Sequence, residues 1–65
     1  MRIEDLVREA RQSQGWRVDE TKKGWLFFSP FGGSPVAARR RPTEQGLKKT
    51  LNQLKARGFR WPPKG

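Results

Sequence analysis

The chain of 65 residues carries 15 lysines and arginines against six acidic residues, and its formal net charge is +9. A chain this short removes only about 60 % of its unfolded surface from water, which excludes a second core and an enclosed catalytic chamber. Because the sequence has neither cysteine nor histidine, it also lacks disulfides and the usual zinc and copper ligands. No metal or cofactor is therefore expected.

No segment is typical of a membrane span or of a secretory leader. The longest apolar run, residues 25–28, is far shorter than the ~20 residues needed to cross a bilayer. The amino terminus has no basic segment leading into an apolar core. We therefore expect a soluble cytoplasmic protein with no membrane partner.

The first predicted element is an amphipathic helix over residues 3–13. Four apolar residues recur at i, i+3, i+4 and i+7, which places them on one stripe of a helix. They are Ile3, Leu6, Val7 and Ala10. Gly15 can end the helix because glycine readily adopts a left-handed cap.

After this helix the period changes to two, which predicts three strands. Residues 16–19 and 25–29 flank the polar turn 21–24, which ends in a glycine, and this pattern is typical of a β-hairpin. A loop rich in proline and glycine follows, and then a third short run, residues 36–40.

A second amphipathic helix is predicted from about residue 44 to residue 57. Thr43 is a suitable N-cap, and Gly58 supplies the C-terminal stop. Phe59 can then fold back onto the core. Three leucines recur at i, i+4 and i+7 and mark the buried stripe: Leu47, Leu51 and Leu54.

The order α-β-β-β-α predicts an α+β domain in which both helices cover one face of a three-stranded antiparallel sheet. We assign residues 1–59 to this single domain and residues 60–65 to a flexible aromatic and proline tail. Trp16 is expected to anchor the core. Trp61 either caps the second helix or belongs to a tail that orders on a partner, and Phe31 is either a plug under its loop or an exposed contact residue.

The opposite face of this sheet would have no partner within the chain. Leu26 and Phe28 would point to one side of the second strand, whereas Trp25 and Phe27 would point to the other. One pair belongs to the core, and the other either caps an exposed sheet or forms a surface on which bases stack. We predict that Trp25 or Phe27 provides the stacking surface.

Charge is distributed unevenly along the chain. Residues 1–20 carry four basic and five acidic side chains, whereas residues 21–65 carry eleven basic side chains and one acidic side chain. Self-repulsion of this size destabilises a fold unless a polyanion is bound. The positive charge of the carboxyl-terminal two thirds of the chain therefore predicts a surface that binds nucleic acid.

The strongest candidate site is the arginine run 39–41, directly before the second helix. It places guanidinium groups beside the free N–H groups of a helix N-terminus, where phosphate binds readily. Lysines on the second helix either extend this track or form a solvated face, and lysines in the hairpin turn reach a neighbouring groove. The predicted nucleic-acid-binding residues are Lys22, Lys23, Trp25, Phe27, Arg39, Arg40, Arg41, Lys48 and Lys49.

A set of local motifs accompanies the α-β-β-β-α order between residues 3 and 59. The motifs are Lys22-Lys23-Gly24-Trp25, the Ser29-Pro30 step, the Gly32-Gly33 loop, and a helix with Leu47-Lys48-Lys49-Thr50-Leu51 that begins after Pro42-Thr43 and ends at Gly58. Together they resemble the HicA toxin family, whose small domains look like double-stranded-RNA-binding domains. The resemblance implies ribonucleases that cleave messenger RNA and are silenced by a partner antitoxin.

This chain departs from the family at the catalytic position. Family members have a catalytic histidine after the glycine that begins the second strand. Aligning Gly24 with that glycine puts Trp25 or Leu26 near the histidine site, and aligning through Trp25 and Pro30 puts Gly24 itself there. Because imidazole suits proton transfer near neutral pH and the chain has none, we predict that the scaffold binds without catalysis.

The sequence thus predicts a non-enzymatic nucleic-acid-binding protein, with RNA favoured over DNA by the resemblance and duplex RNA suited to recognition by shape and phosphates. One alternative is a protein-protein adaptor that binds an acidic partner, such as an antitoxin-like or phage-encoded regulatory protein. A second alternative is residual ribonuclease activity, with Lys22 or Lys23 in place of the histidine.

Overall fold

Five helices and strands follow one another in the order α-β-β-β-α in the computed structural model, which describes residues 1–62. They are α1 (Ile3–Ser13), β1 (Arg17–Glu20), β2 (Gly24–Phe28), β3 (Val36–Arg39) and α2 (Glu44–Ala56). The predicted α+β order is confirmed. The first helix matches its predicted bounds. The first two strands are each shifted by one residue, and the third strand and the second helix each end one residue earlier than predicted.

The three strands form one antiparallel sheet in the order β1-β2-β3. In its register, Phe27 of the central strand β2 lies opposite Val18 of β1 and Val36 of β3. All three side chains are buried. Because paired residues of neighbouring strands point to the same side of a sheet, one face of the sheet forms the floor of the core.

Both helices pack on this buried face. The buried stripe of α1 and the three leucines of α2 belong to a single hydrophobic cluster with the inward side chains of the sheet. The largest fully buried side chains come from four different elements and from both layers. They are Phe27, Leu6, Leu54 and Val36.

The end of α2 turns the chain back onto the core. Gly58, with φ of +98°, adopts the left-handed conformation, and the amide of Phe59 donates to the carbonyl of Leu54 at 3.0 Å. The ring of Phe59 then meets Trp16 edge to face, with ring centroids 5.6 Å apart. The prediction that Trp16 anchors the core and that Phe59 folds back onto it is confirmed, since both are buried.

Residues 60 and 61 do not form a flexible tail. The amide of Arg60 donates to the Oε1 atom of Gln14 at 2.8 Å, and the Nε2 atom of Gln14 donates to the carbonyl of Arg60 at 2.8 Å. Trp61 stacks on Phe59 with ring centroids 6.2 Å apart, as a cap on the core. The predicted tail is therefore wrong at these two positions, and residues 63–65 lie outside the described residues.

Gly24 has no room for a side chain beside the backbone of β3, and we predict that Gly24→Ala strongly destabilises the fold. A Cβ atom there would lie 2.1 Å from the backbone carbonyl oxygen of Ala38, so strand pairing would have to change. The expected loss is about 3 kcal/mol or more, comparable with the whole stability of many domains of this size.

Urea unfolding followed by far-UV circular dichroism measures this loss. Gly15→Ala is the matched control, because Gly15 has φ of +70° but nothing within 4 Å of its Cβ position. It should cost only about 1 kcal/mol, the penalty of the left-handed backbone. Equal losses in the two variants would contradict the close approach at Gly24.

We predict that Trp61→Ala lowers the free energy of unfolding by about 1–2 kcal/mol, since it removes the stacked cap from Phe59. Phe31→Ala is the control, because Phe31 is 77 % exposed and its loss should change stability by less than about 0.5 kcal/mol. Thermal or urea unfolding compares the two. A Trp61→Ala variant as stable as the wild type would mean that the aromatic cap does not form in solution.

Candidate nucleic-acid interface

A cationic groove lies between β3 and α2. Its volume is about 310 Å³. Arg39 and Arg41 border it on the strand side, and Lys49 borders it on the helix side. None of the described residues that line this groove is acidic, so it is a concave surface of one sign.

Strand alternation places Arg39 on the outward side of β3, at the border of the groove. Along β3, Val36 and Ala38 are buried, whereas Ala37 and Arg39 are exposed. The chain then turns into α2 through Thr43, whose side chain accepts a hydrogen bond from the amide of Gly46 at 3.0 Å. The predicted N-cap is confirmed.

The helix side of the groove contains residues that the sequence analysis did not single out. Gly46 and Gln53 line the groove together with Lys49. These three occupy positions i, i+3 and i+7, and therefore share one stripe of α2 beside the buried leucines. That spacing was visible in the sequence, but nothing in it indicated that this stripe faces β3.

The three consecutive arginines do not act together as predicted. The Arg40 side chain forms an ion pair with Glu20 and donates to the carbonyl of Thr21 at 2.8 Å. Its amide donates to the carbonyl of Lys23 at 3.1 Å and so extends the β2–β3 ladder by one residue. Arg40 therefore points away from the groove that Arg39 and Arg41 border, and its predicted phosphate contact is not supported.

The predicted stacking surface is also corrected. Phe27 is 0 % exposed and lies in the core, so no base can reach it. Trp25 projects from the same side of β2 and is half-buried, with the guanidinium carbons of Arg11 and Arg40 at 5.8 Å and 6.0 Å from its ring centroid. Trp25 is thus engaged within the chain, which leaves Leu26 and Phe28 on the uncovered face.

The uncovered face is not a continuous aromatic surface. The Arg17 guanidinium carbon lies 5.2 Å from the centroid of the Phe28 ring. The same side chain pairs with Asp19, with its Nη2 atom 3.0 Å from Oδ2. This end of the face already carries an internal ion pair and offers less to a polyanion than the groove does.

The predicted lysines fall in different places. Lys23 lines a second cavity of about 420 Å³ on the uncovered face, and Arg39 borders this cavity as well as the groove. Lys22 and Lys48 are exposed but line neither of these two cavities. The structure therefore brings together Lys23, Arg39, Arg41 and Lys49.

The sequence left open whether Phe31 is a plug under its loop or an exposed residue, and the structure shows that it is exposed. It is 77 % exposed and lies in the loop between β2 and β3. Its ring covers Gly58, where an added Cβ atom would come within 2.7 Å of it. The loop is held to the end of α2 because the Arg57 Nε atom donates to the carbonyl of Ser34 at 2.9 Å.

Neither a membrane span nor a metal cluster is found in the part of the chain that the structure describes. No helix within residues 1–62 combines the length and apolar character needed to cross a bilayer. The same residues contain no group of three or more acidic side chains arranged to hold a metal ion.

Comparisons with protein-family models, with curated proteins and with solved structures found no match to this chain. The resemblance to the HicA family, and to double-stranded-RNA-binding domains, thus stays a prediction from the residues. The function has to be argued from the geometry of the groove and from the charges around it.

Proposed function

We propose that this protein binds nucleic acid through the phosphate backbone and does not cleave it. The observation that carries the proposal is the groove between β3 and α2, where Arg39, Arg41 and Lys49 converge and no lining residue is acidic. Phosphate oxygens are the natural partners of such a cluster, since guanidinium groups bind them in a bidentate manner.

The groove connects to a longer cationic track. Arg39 borders both the groove and the cavity that Lys23 lines, so four basic side chains line two adjoining concave surfaces. The acidic side chains of β1 pair with Arg17 and Arg40, so they do not neutralise this track. A bound polyanion would relieve the resulting self-repulsion.

Duplex RNA is the ligand that we favour. Phe27 lies in the core and Trp25 packs against two arginines, so these aromatic rings contact the protein rather than bases. Recognition then relies on shape and phosphates, which suits a duplex. RNA is preferred to DNA because of the resemblance to the HicA family.

We propose binding without catalysis because RNA cleavage through the 2′-hydroxyl needs a group that exchanges protons near neutral pH, and the chain contains no histidine. RNA incubated with the protein at saturating concentration should remain intact on a denaturing gel, with a known ribonuclease as the positive control. Time-dependent fragments that disappear with Lys23→Gln would instead indicate residual activity.

We expect Arg39→Gln, Arg41→Gln and Lys49→Gln each to weaken duplex RNA binding by about 3- to 10-fold at low salt. Each should also reduce the slope of log affinity against log salt concentration by about one, because one phosphate contact is lost. Fluorescence anisotropy with labelled duplex RNA, single-stranded RNA and duplex DNA at several salt concentrations measures both quantities.

Arg40→Gln is the matched control within the same arginine run. Because Arg40 already pairs with Glu20, this change should leave affinity within about 2-fold of the wild type. A loss equal to that of Arg39→Gln would show that net charge, rather than the groove, determines binding. No binding of any of the three nucleic acids at low salt would reject the proposal.

A further inference from the structure

The outer edge of β3 presents backbone groups that have no hydrogen-bond partner within residues 1–62. The bond from the Arg40 amide to the Lys23 carbonyl marks these two residues as a hydrogen-bonded pair of the antiparallel ladder. Hydrogen-bonded and non-hydrogen-bonded pairs alternate, so the N–H and C=O groups of Ala37 and Arg39 point away from β2. No hydrogen bond within residues 1–62 engages them.

The opposite edge of the sheet is different. The same alternation points the backbone groups of Val18 outward from β1, and the Val18 carbonyl accepts a hydrogen bond from the Arg11 side chain. The amide of Trp16, just before β1, donates to the carbonyl of Ala10 at 2.9 Å. Helix α1 thus occupies part of the β1 edge, whereas the β3 edge is open.

Concave surfaces flank β3 on both sides. The groove of about 310 Å³ lies towards α2, and the cavity of about 420 Å³ lies on the uncovered face. Ala37 lines both, and its small side chain leaves the edge accessible. A strand added to β3 would direct alternate side chains into these two spaces.

We infer that the β3 edge binds an extended acidic segment of a partner protein by strand addition. The basic side chains that line the two concave surfaces, Lys23, Arg39, Arg41 and Lys49, favour acidic side chains on the added strand. A second copy of this chain does not fit, since pairing two β3 edges would bring the same arginines together in two molecules of formal charge +9.

The added strand must be short. The outward position before Ala37 is Pro35, which has no N–H group to donate, and β3 ends at Arg39. Backbone bonding is therefore confined to Ala37 and Arg39 and depends on the surrounding charge for affinity. This inference does not depend on nucleic-acid binding, but both ligands would contact Arg39, Arg41 and Lys49 and should compete.

The test uses a labelled octapeptide of alternating glutamate and valine. Ala37→Pro removes the outward N–H group without removing a bond to β2, and proline is tolerated at such an edge position. We expect this variant to lose peptide affinity by 10-fold or more, measured by fluorescence anisotropy. Ala37→Val retains the N–H group and should remain within 3-fold of the wild type.

A second peptide separates strand addition from simple charge attraction. An octapeptide of alternating glutamate and proline carries the same charge but cannot pair as a strand, and it should bind at least 10-fold more weakly. Equal binding of the two peptides, or unchanged affinity of Ala37→Pro, would overturn the inference.

Amide hydrogen exchange of the wild-type protein provides a measurement that needs no variant. The Ala37 and Arg39 amides should exchange more slowly when the glutamate-valine peptide is bound, and unchanged exchange at saturation would overturn the inference. Sedimentation equilibrium without peptide should show a monomer, and a dimer abolished by Ala37→Pro would assign the edge to a second copy instead.

Different probes distinguish this inference from the proposed function. Because Ala37 lines the groove, the fold of Ala37→Pro is checked by far-UV circular dichroism, and duplex RNA binding is measured on the wild type. Absence of RNA binding by a wild type that binds the peptide would reject the nucleic-acid proposal alone.

Discussion

The structure depends on a single buried layer between one face of the sheet and both helices. Phe27 lies at the centre of this layer, with an inward side chain of a neighbouring strand on each side. A domain of this size forms only one such core, so each strand contributes every second side chain to it. The remaining side chains face outward.

The distribution of acidic side chains then divides the outward surface into two regions. Asp19 and Glu20 on β1 hold Arg17 and Arg40 in ion pairs. On the other side of the sheet, the described residues around the β3–α2 groove include no carboxylate that could do the same. Arg39, Arg41 and Lys49 therefore stay outside these two ion pairs, at the edge of the sheet where Ala37 and Arg39 have backbone groups without a partner among residues 1–62.

The sequence predicted most of the fold because the information was local. The periodic apolar residues of the helices, the cap at Thr43 and the stop at Gly58 each depend on a few neighbouring residues. The side of β2 that faces the core could not be derived in this way, because both of its sides are apolar. Burial of Phe27 follows only from the pairing of three strands.

The candidate site was predicted less completely, since it depends on contacts between distant segments. The ion pair with Glu20, on the strand two positions away in the sheet, holds Arg40 away from the groove. Gln14, which is 46 residues from Arg60 in the sequence, binds the backbone of Arg60. No local pattern in the sequence indicates either contact. The positive charge of the region could be counted, but the side chains that remain accessible could not.

Along the continuation of β3, successive side chains of the arginine run 39–41 point in alternate directions, so Arg40 differs in its contacts from Arg39 and Arg41. The position of each residue in this alternation therefore matters more than its residue type. Inserting or deleting one residue between Ala38 and Arg41 would exchange the roles of neighbouring arginines, although composition and net charge would hardly change. This surface should therefore tolerate changes of residue type at the arginine run better than changes of its length.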